Sequence, residues 1–300
     1  MGTMTAPRRT NRTPQHGHRP VGQLLREWRE RRRLSQLELS IQAEISTRHL
    51  SFVETGRSRP TSEMILRLTE HLDVPLRERN ALLLAGGYAP AYPHGRLDAP
   101  QLEAVRASLR QVLTGHEPYP AVVVDRSWSL VEANAAIALF TDGVTARHLL
   151  TPPINVLRLS LHPAGMAPRI INLREWRTHL LSRLYRQATA IGDPQLHDLH
   201  EELRAYPAVD HRDDDDGDRD DRDRHRDDQP PKPSEPIQVV VPLRYRHEGQ
   251  ELSFFSVTAV FGTPLDVTVS ELAIESFFPA DTPTAEALRR AAGASGRIPV

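Results

Sequence analysis

The 300-residue chain contains no cysteine and a single lysine, Lys232. Without cysteine it has no disulfide framework and no thiolate metal site, a composition that fits a reducing compartment. It also lacks any run of about 18 apolar residues that would cross a bilayer, and its arginine-rich start lacks the apolar segment of a secretory signal. We therefore expect a cytoplasmic protein with no membrane association.

The motifs of common enzyme classes are missing as well. The sequence has no glycine-rich phosphate loop, no dinucleotide fingerprint, no nucleophile elbow and no HExxH pair. His197, His200 and Glu201 would share one helical turn and form a candidate metal site, but without a second cluster a solvated helix face is the simpler interpretation. We predict no enzyme activity, no metal and no cofactor.

The charges that are present form two opposite blocks, which average to a net charge of -1. Residues 1–60 hold twelve arginines against five glutamates, a balance of +7 that is typical of a protein that binds a polyanion. Residues 210–228 hold eleven aspartates and five arginines and no apolar residue, a balance of -6 with histidine neutral. Such a run cannot form a core, so we predict a disordered insert over residues 210–235, which either competes with a polyanion for the basic block or only adds solubility.

Residues 22–61 have the pattern of a helix followed by two helices joined by a short turn. Ser35 and Glu38 form a capping box, in which each side chain accepts from the backbone N–H of the other residue at a helix start. Residues 44–46 make the turn, Ser46 caps the next helix and Gly56 ends it. Three sets of apolar residues are predicted to face inward: Leu24, Leu25 and Trp28; Leu37, Ile41 and Ala43; Leu50 and Val53. This pattern indicates a helix-turn-helix unit for duplex DNA.

The third predicted helix should enter the major groove by its first turns. Thr47, Arg48 and Ser51 would then reach base edges, and Gln36, Arg57 and Arg59 would contact phosphates. With the flanking positions included, the predicted DNA-binding residues are Gln36, Ser46, Thr47, Arg48, His49, Ser51, Arg57 and Arg59.

Two further helices complete an all-α domain of five helices over residues 20–87. Pro75 opens the last one, in which Leu76, Leu82, Leu83 and Leu84 are predicted to face inward. Residues 1–19 form a basic, disordered arm, either a DNA contact or a solvated tail. Residues 88–114 read as a linker and a connecting helix that packs on the next domain or pairs with its twin in a dimer.

From residue 115 to residue 293 the pattern becomes mixed α and β. Short strands near 121–125 and 129–132 precede an expected helix cap at Asn134, an order that resembles the opening of a PAS-type sensor domain. Two long helices follow near 173–188 and 194–206, and three strands are predicted over 237–245, 252–261 and 265–277, with a terminal helix after Thr282. The predicted fold is therefore a five-helix domain followed by an α+β, PAS-like domain with a mainly antiparallel sheet.

Several segments carry a family resemblance that covers most of residues 20–290. They read LSQLEL, STRHLSFVETGRSRP, LDVPLRERNALLLAGGYAP, HEPYPAVVVDRSWSLVEAN, INLREWRTHLLSRLYRQA and FGTPLDVTVSELAIESFFPAD. They resemble the XRE-type, lambda-repressor-like helix-turn-helix family and, more narrowly, the MmyB-like transcriptional regulators. One departure is Glu44, which stands where such turns often carry glycine, so that a left-handed backbone there would be strained.

The resemblance implies a one-component transcription regulator that binds an operator as a homodimer and senses an apolar small molecule, with fatty-acid-like ligands the favoured class. A carboxylate on such a ligand would pair with Arg174, Arg177 or Arg183. The predicted ligand-binding residues are Val124, Trp128, Phe140, Trp176, Leu180, Arg177, Phe254, Val257 and Phe261, which are otherwise ordinary core. The alternative function is a ligand-binding protein or small-molecule enzyme whose helix-turn-helix unit makes protein contacts only.

Overall fold

The computed structural model describes residues 19–207 and 241–295. The chain divides into two compact units between Pro93 and His94, and each is described by itself. Nearly all of the predicted basic arm, residues 1–18, and the whole predicted insert, residues 210–235, lie outside the described residues.

The described part of the first unit is a bundle of five helices, as predicted. They are α1 (Val21–Arg31), α2 (Gln36–Gln42), α3 (Thr47–Glu54), α4 (Ser62–His71) and α5 (Leu76–Ala85). The capping box of Ser35 and Glu38 is present, Ser46 caps α3 and Thr61 caps α4, each by accepting from a backbone N–H in the first turn. The capping residues predicted for α2 and α3 are therefore confirmed.

All five helices end in the same hydrogen-bond pattern, with a left-handed residue just after the helix. At α2, the Glu44 N–H donates to Ile41 O and the Ile45 N–H donates to Ser40 O, while Glu44 has a φ of 52°. This is the Schellman arrangement, which satisfies carbonyls left free at a helix end. Arg33 and Asp73 occupy the corresponding position after α1 and α4, again without glycine. Glu44 thus has the left-handed backbone that glycine often adopts in such turns.

The face of α2 that packs inward differs from the predicted one. Leu39 and Ala43 are fully buried, whereas the side chains of Leu37 and Ile41 are 58% and 67% exposed. A helix turns by about 100° per residue, so Leu39 and Leu37 point to nearly opposite sides. The prediction is therefore wrong for Leu37 and Ile41, and Leu84 of α5 is likewise exposed rather than buried.

The second unit contains a five-stranded antiparallel sheet within its described residues. Along the chain lie α6 (Glu103–Gly115), β1 (Ala121–Val124), β2 (Leu130–Ala133), α7 (Ala138–Thr141), α8 (Val156–Leu161), α9 (Leu173–Ile191), α10 (Pro194–Arg204), β3 (Leu243–His247), β4 (Gln250–Val260), α11 (Val267–Ser270), β5 (Ala273–Pro279) and α12 (Thr282–Ser295). The strand order is β2-β1-β5-β4-β3. This arrangement confirms an α+β domain with a mainly antiparallel sheet.

Both faces of strand β1 are covered. Side chains alternate along a strand, so Val122 and Val124 of β1 join the large core beneath α9, while Val123 packs with Leu109 and Leu113 of α6 on the other face. Every residue of β1 is consequently buried. The sheet thus separates the main core from a smaller one under α6.

Two local predictions in this unit need correction. The predicted last strand, 265–277, begins instead as α11, because the Asp266 side chain accepts from the Val269 N–H and starts a helical turn. Asn134 does not cap a helix with its side chain. Its amide accepts from Ala121 N and donates to Leu113 O and Tyr119 O, which joins the end of α6 to β1.

Candidate DNA interface and ligand cavity

A buried ion pair fixes the end of α3 in the first unit. Arg29 of α1 donates from Nε and Nη2 to the two Glu54 carboxylate oxygens at 2.7 and 2.9 Å, and its Nη1 donates to Leu34 O at 2.8 Å. The hydrogen bonds to Glu54 raise the pKa of Arg29, so its charge is secure. The amide of Gln36 also donates to Glu54, at 2.7 Å. One carboxylate therefore joins α1, α2 and α3.

Arg48 of α3 and Arg57 of the loop after it both place a guanidinium group near the ring of Phe52. The Arg48 and Arg57 guanidinium carbons lie 5.3 and 5.9 Å from the centroid of the Phe52 ring. Both arginines are exposed, and Phe52 is half-buried. Such cation–π contacts orient long side chains that would otherwise be mobile. This surface is therefore basic and exposed, and the helix beneath it is joined to α1 by the buried ion pair.

The other predicted DNA-binding residues of α3 lie in its first turns. Ser46 accepts from the His49 N–H at 3.1 Å, and the hydroxyls of Thr47 and Ser40 lie 2.8 Å apart. Thr47, His49 and Ser51 are half-buried, and Ser46 is exposed. These four residues and Arg48 therefore share the start of one helix.

Two residues predicted to contact phosphates form hydrogen bonds within the first unit instead. Gln36 donates to Glu54, as described, and Arg59 donates to Gly86 O at 2.8 Å with its guanidinium over the Tyr88 ring. Each ties a loop or helix start to a distant helix end. Sequence reasoning missed this because both partners are far away along the chain.

A mainly apolar cavity of about 100 Å³ lies in the second unit, beneath the sheet and beside α9. Its walls come from β1, the turn after it, α7, α8, α9 and the inner face of β5. The lining residues are Val122, Val124, Trp128, Leu130, Ile137, Phe140, Thr141, Leu150, Ile154, Val156, Leu157, Leu159, Ser160, Met166, Trp176, Leu180, Arg183, Leu243, Glu275 and Phe277.

The polar part of the cavity wall is a second bidentate ion pair. Arg183 of α9 donates from Nη1 and Nη2 to the Glu275 carboxylate at 3.0 and 2.9 Å, and Nη2 also donates to Thr258 Oγ1 at 2.7 Å. The Thr258 hydroxyl donates to Glu275 at 2.9 Å. The guanidinium carbon lies 4.6 Å from the centroid of a Trp128 ring. One aromatic ring, one carboxylate and one hydroxyl hold this arginine in place.

Comparison with known families identifies both parts of the chain. Residues 105–291 match the model of the MmyB-like transcription regulator ligand binding domain, and residues 20–82 match a helix-turn-helix domain. The chain belongs to the MmyB-like transcription regulators. It is therefore a DNA-binding transcription regulator with a ligand-binding domain, and both matched families point away from enzyme activity. No curated protein matches this regulator in sequence.

The cavity of this MmyB-like regulator includes five of the predicted ligand-binding residues, Val124, Trp128, Phe140, Trp176 and Leu180. Of the three arginines considered for a carboxylate, Arg183 lines it. Phe254 lies in the core beside the cavity, with its ring centroid 5.5 Å from that of Phe140.

Three predicted residues lie elsewhere. Val257 is exposed, since β4 turns Leu252 and Phe254 inward and the odd-numbered positions outward. Phe261 packs with the smaller core under α6. Arg177 donates to the carbonyls of residues 203, 204 and 206 at the end of α10. These positions are not part of the ligand site that we propose.

The backbone of Trp128 is left-handed, with a φ of 65°, which is rare for a large aromatic residue. Asp125 stabilises the turn by accepting from the N–H groups of Ser127 and Ser129 at 2.8 and 2.9 Å. The Trp128 indole N–H donates to Gln187 of α9 at 2.8 Å. The turn thus holds an aromatic wall of the cavity in a strained conformation, a feature that often marks a functional site.

The remaining candidate features give no further site. Among residues 19–207 and 241–295, no group of three or more histidine, aspartate or glutamate side chains is placed to hold a metal ion. His200 lies 3.1 Å from Glu201, and its ring packs against that of Tyr185. No described helix is long and apolar enough to span a bilayer.

Proposed function

We propose that this regulator binds an operator through the start of α3 and that an apolar small molecule in the cavity of the second unit, such as a fatty acid, modulates that binding. The observation that carries the DNA part is the exposed pair of Arg48 in α3 and Arg57 just after it, both against the Phe52 ring, at a helix that a buried ion pair joins to α1. The observation that carries the ligand part is a preformed apolar cavity in a domain of a ligand-binding family.

In the proposed DNA complex, Arg48 makes a bidentate contact to guanine, and Thr47 and Ser51 reach neighbouring base edges. Arg57 contacts a phosphate, and Ser46 and His49 lie at the edge of the interface. Two copies of the chain would bind half-sites one or more helical turns apart. Gln36 donates to Glu54 and Arg59 donates to Gly86 O, so a phosphate contact requires either side chain to share or leave that partner. We therefore propose that both contribute little to phosphate binding.

We assign DNA binding to residues 20–87 and ligand binding to residues 115–293. Between them, residues 88–114 connect the two functions. Leu109 and Leu113 of α6 pack on the sheet of the second unit, which supports counting α6 with the ligand-binding part. A ligand regulates only if it prefers one arrangement of the two parts over another.

Two arginine substitutions, in α3 and just after it, test the proposed DNA contacts. Arg48→Ala should relax base preference by about 1–3 kcal/mol at one position of the operator and leave non-specific affinity nearly unchanged. Arg57→Ala, a matched change at the other arginine against Phe52, should weaken all sequences alike and lower the salt slope by about one. The measurement is a mobility shift of the full chain on selected and scrambled duplexes at two salt concentrations.

Two outcomes of that measurement decide against the proposal. If the wild-type protein binds no duplex, or binds with an affinity that does not fall as salt rises, the helix-turn-helix unit serves protein contacts and the alternative function stands. If Arg48→Ala weakens all sequences equally, Arg48 contacts a phosphate rather than a base.

Native mass spectrometry tests the ligand proposal. Full-length protein from a lipid-replete host should carry an additional small apolar mass, and solvent extraction should remove it. A cavity of about 100 Å³ is smaller than the roughly 300–1,000 Å³ of most small-molecule sites, so we expect a compact or short-chain ligand. Repeated spectra of the unliganded mass alone would contradict a resident ligand.

A further inference from the structure

The polar atoms of the cavity wall determine which head group a ligand carries. We infer that the cavity binds a ligand whose head group is uncharged and hydrogen-bonding, such as an alcohol, an amide or a protonated acid, and that it selects against an ionised carboxylate. The inference rests on the proposed ligand-binding function of this cavity and refines it.

The cation at the wall is already neutralised. Of the described residues that line the cavity, Arg183 and Glu275 carry charge, and they form the bidentate pair described above. A ligand carboxylate that approached Arg183 would meet the like charge of Glu275 in an environment of low dielectric constant. The wall therefore offers no net positive charge to compensate the cost of removing a carboxylate from water.

Displacing Glu275 from Arg183 would also be costly. Glu275 is buried in β5, between Val122 of β1 and Thr258 of β4, and its carboxylate accepts from Arg183 and from the Thr258 hydroxyl. Removing the partner of a buried charge is strongly destabilising. His179, one helical turn before Arg183, supplies no replacement, because burial and the charge of Arg183 lower the pKa of its ring.

A hydrogen-bond donor suited to a neutral oxygen lies at another part of the wall. The Ser160 hydroxyl accepts from the Trp176 indole N–H at 3.1 Å, and the residue is only 7% exposed. Among the described residues, no acceptor takes the Ser160 proton, and a buried donor without an acceptor is unfavourable. Trp176 lies seven positions before Arg183 in α9, so their backbones are about 10 Å apart along the helix axis. A ligand oxygen at Ser160 would complete its hydrogen bonding.

Binding of three matched probes to the wild-type full-length protein tests the inference at pH 7. Hexanol, hexanamide and hexanoate have the same chain and differ in the head group. Two of the three tryptophans, Trp128 and Trp176, line the cavity, so tryptophan fluorescence reports its occupancy. We expect hexanol and hexanamide to bind at least about tenfold more tightly than hexanoate, since one factor of ten is a small part of the cost of burying a charge.

The outcomes separate this inference from the proposed function. If hexanoate binds as tightly as hexanol, or more tightly, the inference on the head group is wrong and the cavity remains a ligand site. If none of the three probes binds, the ligand-binding function of the cavity fails, and the inference fails with it.

A charge-removing variant provides a second measurement. Glu275→Gln should leave Arg183 without its counter-charge, so that the affinity for hexanoate rises by about tenfold or more relative to the affinity for hexanol. Glu251→Gln is the matched control, because Glu251 pairs with Arg244 on an exposed part of the same sheet. Unchanged hexanoate affinity in folded Glu275→Gln would contradict the inference. The wild-type comparison stands even if that variant does not fold.

Discussion

Replacing Arg29 with methionine should unfold the DNA-binding unit at a much lower temperature than in the wild type. The methionine fills a similar volume but leaves the Glu54 carboxylate buried without its cation, and breaking a buried pair in this way costs about 3–5 kcal/mol. For a unit of this size, that loss lowers the thermal midpoint by at least about 12 °C. Circular dichroism of the full chain, followed through the first transition, measures it.

An exposed pair on the same helix provides the control. Arg26 and Glu30 form an (i, i+4) ion pair at 2.7 Å in which both side chains are exposed and screened by water, so Arg26→Met should leave the thermal midpoint close to that of the wild type. The double variant Arg29→Met with Glu54→Gln should recover part of the loss, because no unpaired charge stays buried. If Arg29→Met melts with the wild type, the ion pair does not hold α3 in place.

The second large effect is expected from Gly22→Ala in α1. A Cβ at Gly22 would lie 2.0 Å from Val53 O and 3.1 Å from Glu54 O, both backbone atoms at the end of α3. The two helices must separate to admit one methyl group, at a cost of about 1–3 kcal/mol or more. Because α3 carries the proposed base contacts, we also expect operator affinity to fall. Thermal melting and a mobility shift at low temperature measure the two effects.

The neighbouring residue supplies a matched substitution. Gln23 is exposed on the same helix, so Gln23→Ala should change stability by no more than about 0.5 kcal/mol and leave DNA binding intact. A Gly22→Ala protein that melts and binds like Gln23→Ala would show that α1 tolerates the extra atom by a small shift, and that the close approach of α1 to α3 is not essential.

Both substitutions change how α3 packs against α1. Neither changes the residues of α3 that are proposed to contact DNA. Neither Arg29 nor Gly22 belongs to the set that sequence reasoning assigned to DNA. Arg29 was counted only as one of twelve basic residues near the start of the chain. A spacing of 25 residues between Arg29 and Glu54 gives no local signal that they pair, so the interaction is visible only after the helices have packed.

The same distinction applies to the ligand site. Trp176 and Leu180 could be assigned to one face of α9 from their helical spacing, and the structure places both at the cavity. The partner of Arg183 could not be assigned, because Glu275 is 92 residues away and joins it only through the register of β5 with β4. Because the sequence does not reveal that partner, Arg183 was predicted to be available to a ligand carboxylate.

Local patterns in the sequence predicted the capping box at Ser35, the end of α3 at Gly56 and the change from all-α to α+β, and the structure contains all three. These features depend on hydrogen bonds and backbone preferences within a few residues. Local patterns do not show that Leu39 rather than Leu37 faces the core, or which charges neutralise each other. Burial and ion pairing depend on residues that are distant along the chain, and their positions follow from packing rather than from any local pattern.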